Sequence, residues 1–260
     1  GVVAVGELRG AWLALSTGMF EGPSLRWRDL GAPVVVVGAH GGSGASTTAL
    51  AIAEATGAAH VLELAGPGQS GLVAAATAEF GEVGPGWVRG RRGVVVIDHL
   101  ARWPDGSLIP APAPVRAGGV LLVVDLAMVA AGERGLRAAR ELFERAVLVV
   151  VTAAATVPGM RRLDAILPLI PSSGVAVAVT GAPRRGLPRP VTAAFPPVVR
   201  GLAGAGRLVL VPDVPSLAVT GVTPDPLPAP VLAAGRQLCD LCLLYTSDAA
   251  DEEDSVDLGG

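Results

Sequence analysis

Between a run of four valines and a stretch able to form a helix, this chain reads Val34-Val35-Val36-Val37-Gly38-Ala39-His40-Gly41-Gly42-Ser43-Gly44-Ala45-Ser46-Thr47-Thr48. Four consecutive β-branched apolar residues predict a strand buried on both faces, as in the middle of a parallel sheet. Gly41, Gly42 and Gly44 then free the backbone to turn its N–H groups inward. Ser46-Thr47-Thr48-Ala49-Leu50 opens a helix whose dipole adds positive potential at the same place. Strand, glycine-rich turn and helix in that order form a cradle for phosphate oxygens. A tight turn that only packs strand against helix is the simpler alternative, and the sequence leaves it open.

One part of such a cradle is missing. Set against the pattern GxxxxGK[ST], the closing glycine is Gly44, the lysine position is Ala45, the metal-facing hydroxyl is Ser46 and the first glycine position is Ala39. No lysine occurs anywhere, since all 20 basic residues are arginine. Asparagine is absent as well, beside 35 glycines and 22 prolines, a composition that fits GC-rich coding sequence. The candidate phosphate ligands are therefore His40, Gly41, Gly42, Ser43, Gly44, Ala45, Ser46 and Thr47, acting through amides and hydroxyls. Losing a charge-assisted lysine contact costs about 1.5–3 kcal/mol of binding. Losing its stabilisation of a transition state costs on the order of a hundredfold in hydrolysis. Binding is expected to survive, and turnover to be slow or nil.

After Pro33, valine-rich runs alternate with alanine-rich stretches, the pattern of a parallel sheet covered by helices on both faces. The runs predict strands at 33–38, 60–65, 93–98, 119–125, 147–152, 174–180 and 207–211. Helices fit at 45–56, 70–80, 131–145, 158–169, 190–204 and 229–241. In the third of these, Leu136, Leu142 and Phe143 oppose a charged face, which marks a packing helix. Prolines at 104, 110, 112 and 114 mark a long excursion between strands, and those from 224 to 230 a late loop. The expected fold is α/β, a doubly wound, mostly parallel sheet of about seven strands in one domain spanning 32–241. With 260 residues, 51% of them hydrophobic and 17% charged, the chain can bury a full core.

The two ends are read apart from that domain. Residues 1–31 form a mixed lead-in with Trp12 and Trp27, and Gly1 in place of methionine suggests a truncated start. From Cys242 the chain reads Cys-Leu-Leu-Tyr-Thr-Ser-Asp-Ala-Ala-Asp-Glu, which resembles the translation of a sequencing adapter, so 242–260 is expected to be non-native. A genuine acidic tail is the alternative. Six of the 23 acidic residues fall there, and without them the formal charge of −3 becomes +3. Neither value is a footprint for nucleic acid or a membrane surface. Cys239 is the one cysteine outside the tail, which excludes a disulfide framework and zinc-ligand spacing in the domain. The densest apolar segments, 120–131 and 146–155, are too short to span a bilayer, and no basic-then-apolar leader is visible. A cytoplasmic location is the expectation.

The loop resembles the deviant phosphate loop of the ParA/MinD family of partition and septum-positioning ATPases. Gly41 to Thr47 is most similar to the lysine-free loop of actinobacterial MinD-like proteins, related to septum-site-determining and CpaE-type pilus-assembly factors. Val61-Leu62-Glu63-Leu64-Ala65-Gly66-Pro67-Gly68-Gln69-Ser70-Gly71-Leu72 is similar to the family's second strand and turn, with Glu63 the only acid where aspartates are usual. Gly119-Val120-Leu121-Leu122-Val123-Val124-Asp125-Leu126 looks like its Walker B strand, and Arg207 to Asp213 like its closing strand and Pro-Asp turn. The resemblance covers about 33–241 and implies ATP and Mg2+ as ligands, with Ser46 and Asp125 toward the metal. Asp98, in Val94-Val95-Val96-Ile97-Asp98-His99, is the competing acid. His40 stands where a second, family-specific lysine is expected, and donates to phosphate only when protonated.

The resemblance also implies a homodimer closed around nucleotide and a protein partner, which the sequence does not identify. At most a weak ATPase is expected, placed in the spatial positioning or assembly of a bacterial complex. Arg89, Arg91 and Arg92, or the pair Arg184-Arg185, are alternative sources of a cation for the phosphates. Two other readings stay open. One is a pseudo-ATPase scaffold that binds no nucleotide. The other rests on Gly38, Gly42 and Gly44, which also resemble the dinucleotide turn of short-chain dehydrogenases. Catalysis of that kind is excluded, because the only tyrosine is Tyr245 and the assisting lysine is absent.

Overall fold

The computed structural model describes residues 26–66, 68–103, 109–113, 115, 120–127, 133–172 and 174–256, with side chains described to residue 242. The strands are β1 (Val34–Gly38), β2 (Ala59–Glu63), β3 (Ala78–Gly84), β4 (Trp87–Arg92), β5 (Val95–Leu100), β6 (Leu121–Asp125), β7 (Leu148–Ala154), β8 (Val175–Ala182) and β9 (Leu208–Pro212). They form a nine-stranded sheet in the order β3-β4-β5-β2-β6-β1-β7-β8-β9. β4 pairs antiparallel with both of its neighbours, and every other pairing is parallel. The helices are α1 (Ala45–Ala55), α2 (Glu133–Ala138), α3 (Arg140–Arg145), α4 (Val157–Ile166), α5 (Arg189–Ala193), α6 (Pro197–Gly204), α7 (Pro215–Thr220) and α8 (Ala229–Val256).

Valine runs make the middle of this sheet because each residue of β1 is buried, alternating between two apolar layers. Val35 and Val37 face a layer closed by Leu136, Phe143, Met160, Leu163, Val191 and Val199. Val34 and Val36 face the other, closed by Ala49 and Ile52 of α1 and by Val231, Ala234 and Leu238 of α8. Helices therefore cover both faces, as the sequence predicts. Against α1, α8 lies so close that a Cβ on Gly235 would stand 2.3 Å from the Ala51 carbonyl oxygen. Backbone offers no rotamer to swing aside. Gly235→Ala is accordingly expected to destabilise the fold by about 1–3 kcal/mol, read as a lowered denaturant midpoint.

All seven expected strands are present, and β3 and β4 are additions. The helix expected at 70–80 is not formed. Gly71 and Leu72 instead donate their N–H groups to the Glu63 carboxylate, holding the chain in turns up to β3. A hairpin then follows, closed by Gly84-Pro85-Gly86-Trp87 with Gly86 at φ 78°. Proline before a glycine of positive φ suits a type II turn. A Cβ at Gly86 would also lie 2.4 Å from the Arg102 carbonyl oxygen.

Proline also redraws the helices. Pro196 and Pro197 split the stretch 190–204 into α5 and α6, and Pro168 turns the end of 158–169 into a single 3-10 turn, Leu167–Leu169. The stretch 131–145 is interrupted at Ala139, between α2 and α3, and its first two residues lie outside the described ones. Of the proline excursion, Pro104 and Pro114 lie outside the described residues, while Pro110 and Ala111 offer their carbonyls to the indole N–H groups of Trp27 and Trp87. Of the lead-in, residues 1–25 lie outside the described ones, and Trp27 is buried in the first apolar layer.

Candidate functional site

The loop after β1 is pinned from below. Ser43 is buried and its Oγ shares a hydrogen bond of 2.8 Å with Thr152 Oγ1 at the end of β7. From β8, the Thr180 hydroxyl donates to the Ser43 carbonyl at 2.8 Å. The loop reverses through Gly42 (φ 71°) and Gly44 (φ 81°), where a side chain would be strained. The N–H groups of Gly41, Gly42, Gly44, Ala45, Ser46 and Thr47 donate to no protein acceptor among the described residues. Residues 40–47 line a cleft of about 240 Å³, walled also by Gln69 and Gly71 after β2 and by Gly221 and Val222 after α7. Free amides around a cleft at a helix N-terminus are donors of the kind an anion needs.

His40 does something narrower than its position suggested. Its Nε2 accepts the Ala154 N–H at 3.2 Å, which leaves the ring proton on Nδ1 to be donated to the Gly41 carbonyl at 2.8 Å. Both nitrogens are thus committed to backbone. The ring braces the loop against β7, and with both nitrogens on backbone groups it has no free donor to offer a phosphate in this arrangement.

Sheet order separates the two candidate acids. Asp125 ends β6, directly beside β1, with Val36 and Asp125 in register. Asp98 lies on β5, beyond β2 and β6, and is fully buried. There it receives both Nε and Nη2 of Arg89 at 2.8 and 2.7 Å and pairs with His60 Nε2 at 2.7 Å. Burial pulls its carboxyl upward, yet the Arg89 and His60 hydrogen bonds bring it below the ordinary value. Its acceptor capacity is used in holding the hairpin to the sheet.

Asp125 is held differently. Oδ1 accepts the Ala127 N–H at 2.8 Å, while Oδ2 is buried without a hydrogen-bond partner. Beside it, in register on β2, stands Glu63, also wholly buried. Glu63 Oε1 accepts from Gly71 N at 2.7 Å, Leu72 N at 3.1 Å and Ser46 Oγ at 3.4 Å, and Oε2 accepts from Ser70. Burial, joined by the charge of Asp125, pushes Glu63 up to about 7. Burial likewise lifts Asp125 to about 6, against the lowering influence of the Ser46 hydroxyl and the Ala127 N–H. The sequence marked Glu63 only as the one acid near the second strand; its register opposite Asp125 becomes visible once β6 lies between β1 and β2.

A carboxyl whose pKa is raised on folding binds its proton more tightly in the native chain than in the unfolded one. For Glu63 the resulting stabilisation is complete below the ordinary 4.5 and disappears as pH rises through about 7. The thermal midpoint of the metal-free protein is therefore expected to fall between about pH 5 and pH 8, and Glu63→Gln to flatten that slope.

Of the arginines offered as substitutes for the missing lysine, those at 89, 91 and 92 are committed elsewhere. Arg91 donates to the Gly93 carbonyl at 2.6 Å. Arg92, nearly buried, pairs with Glu54 of α1 and donates to the carbonyls of Ala75, Thr223 and Asp225. With Arg89 on Asp98, all three residues belong to β4 and not to a loop. Arg184 and Arg185 occupy an exposed turn after β8, at the end of the sheet that carries the phosphate loop.

A doubly wound sheet with a glycine loop between its first strand and helix, and an acid on the adjoining strand, has the fold of the phosphate-loop NTPases. The dinucleotide fold places the strand after the first crossover beside β1, whereas here β6 lies between β1 and β2. Among solved structures, the chain is similar to apo McdA from Cyanothece, at 13% identity over 82% of this chain and 99% of that one, with a TM-score of 0.53. It is similar also to a variant of Cyanothece McdA in complex with ATP, at 11% identity over 81% and 96%, with a TM-score of 0.50. The cell division ATPase MinD from Pyrococcus furiosus aligns at 12% identity over 83% and 100%, with a TM-score of 0.47. No family model and no curated protein matches the chain. The likeness is one of fold.

Proposed function

We propose that this chain is a degenerate MinD/ParA-like nucleotide-binding protein that holds ATP weakly over the loop 40–47 and turns it over slowly or not at all. The observation that carries the reading is the set of six unpaired amides lining the cleft at the start of α1. The β- and γ-phosphate oxygens would accept from these amides, and the α1 dipole would add to the attraction. Magnesium fits the residues present, because Asp125 has a buried carboxylate oxygen without a partner and the Ser46 hydroxyl lies at the same end of α1. Held by Ser46 and Asp125, the ion would neutralise phosphate charge. With Ala45 in the lysine position, no ammonium reaches a developing negative charge, which supports slow turnover.

The wider role follows the loop's resemblance to lysine-free, CpaE-like actinobacterial proteins. The chain would act in positioning or assembling a bacterial complex from the cytoplasm, as a homodimer around nucleotide that engages a protein partner. No helix among the described residues is long and apolar enough to cross a membrane. Calorimetric titration with ATP and magnesium tests the reading: saturable binding of one nucleotide per chain, with phosphate release near background, is expected. Absence of any ATP signal would leave the scaffold reading in its place, and a nicotinamide dinucleotide in the same cell is expected to give no heat.

A further inference from the structure

Two buried acids stand side by side at the start of α1. Glu63 and Asp125 are each fully buried and directly opposed in the β2–β6 register. Neither pairs with an arginine or histidine in any ion pair among the described residues. Arg89 and Arg92, on the neighbouring hairpin, are committed to Asp98 and Glu54. We propose that Glu63 and Asp125, together with the Ser46 hydroxyl, bind a divalent cation of the magnesium or manganese kind without nucleotide, and that this ion supplies the positive charge the lysine-free loop lacks.

The argument starts from Asp125 Oδ2. A carboxylate oxygen removed from water and left without a donor is costly, and native proteins rarely tolerate one that meets no ligand. Oδ1 is held by the Ala127 N–H, so the carboxyl cannot rotate to share its donor without losing that bond. The Ser46 hydroxyl, which also acts on Asp125, is bonded to Glu63, so Oδ2 is left open to a ligand. Glu63 supplies the second charge from the adjacent strand, and the Ser46 hydroxyl already reaches Glu63 Oε1 at 3.4 Å. Two carboxylates and a hydroxyl form an all-oxygen donor set, which suits a hard cation over zinc or copper. The same carboxylate holds Ser70, Gly71 and Leu72, so the ion site and the wall of the cleft share one anchor.

The second half of the proposal rests on the nucleotide reading: an ion loaded beforehand beside Ser46 gives the triphosphate a cation to dock on, and binding becomes ordered, metal before phosphate. The ion site itself does not depend on that reading. Manganese chloride is titrated into the full chain, free of metal and nucleotide, and the free ion is followed by electron paramagnetic resonance. One ion per chain is expected. Glu63→Gln and Asp125→Asn are expected to weaken it about tenfold or more, and Glu133→Gln, at an exposed ion pair on α2, to leave it unchanged. Magnesium is expected to raise the thermal midpoint of the parent chain but not of Glu63→Gln, whose circular dichroism shows whether the fold is intact. No manganese retained by the parent chain, or retention indifferent to Glu63→Gln in a folded variant, overturns the proposal. Manganese bound where ATP is not supports the ion site while removing the nucleotide reading; ATP with magnesium bound where manganese alone is not removes the ion site only.

Discussion

Arg89→Leu is expected to cost about 3–5 kcal/mol of folding free energy, because it strips the main counter-charge from a carboxylate that has no access to water. Asp98 is fully buried, and Arg89 meets it through two nitrogens at once. His60, the remaining partner, offers a single contact. The loss is a penalty for leaving one charge unpaired and not the worth of the pair itself. Arg89→Leu combined with Asp98→Leu is therefore expected to recover much of it, as two apolar side chains fill the space between β4 and β5. Urea unfolding of the parent, single and double variants measures both effects. The pH dependence has a defined sign. Asp98 is held below its ordinary 3.8, so its contribution is present above that value and is lost as pH falls through the lowered one. The gap between parent and Arg89→Leu is expected to close in acid.

That ion pair also shows where the sequence could be read and where it could not. The seven parallel strands were legible because most are apolar runs buried on both sides, as β1, β2 and β7 are, and such runs owe their conformation to burial. β3 carries no such signal. Its first five residues are exposed, Glu79 and Glu82 stand among them, and Gly81 and Gly84 weaken any periodicity. The only local mark was Pro85-Gly86, a turn dipeptide that makes sense once flanking strands are granted. Once the hairpin is present, Arg89 and Arg92 cease to be candidate phosphate cations and become the ion-pair partners that β4 offers to Asp98 and Glu54.

The glycine-rich turn and the helix that follows it were legible in the sequence, since glycine spacing and a helix start are local properties. Their electrostatics were not. Asp98 and Asp125 each follow a run of branched apolar residues, and nothing in either run tells which strand lies beside β1. That is a property of the crossover, as is the meeting of Glu63 with Asp125 from positions 62 residues apart. The same holds for His40, whose ring is taken up by backbone only because Ala154, far along the chain, presents an N–H to it.

Ala45→Lys is expected to tighten ATP binding about 10- to 100-fold, the equivalent of about 1.5–3 kcal/mol for a charge-assisted contact. Ala45 opens α1, lines the cleft and packs with the apolar layer at its base. A lysine there must direct its methylene stem outward over the loop, where the phosphates would lie, and the flexible stem has the freedom to do so. An affinity that does not change would mean that the ligand does not sit over this loop. The variant bears on the ion site as well. If the cation at Glu63 and Asp125 stands in for the ammonium, lysine at position 45 should relieve the dependence on it. Ala45→Lys is then expected to restore ATP binding lost in Glu63→Gln, and to lower the magnesium needed for half-maximal nucleotide binding. If metal and lysine instead act independently, the two substitutions will shift the binding free energy by amounts that simply add.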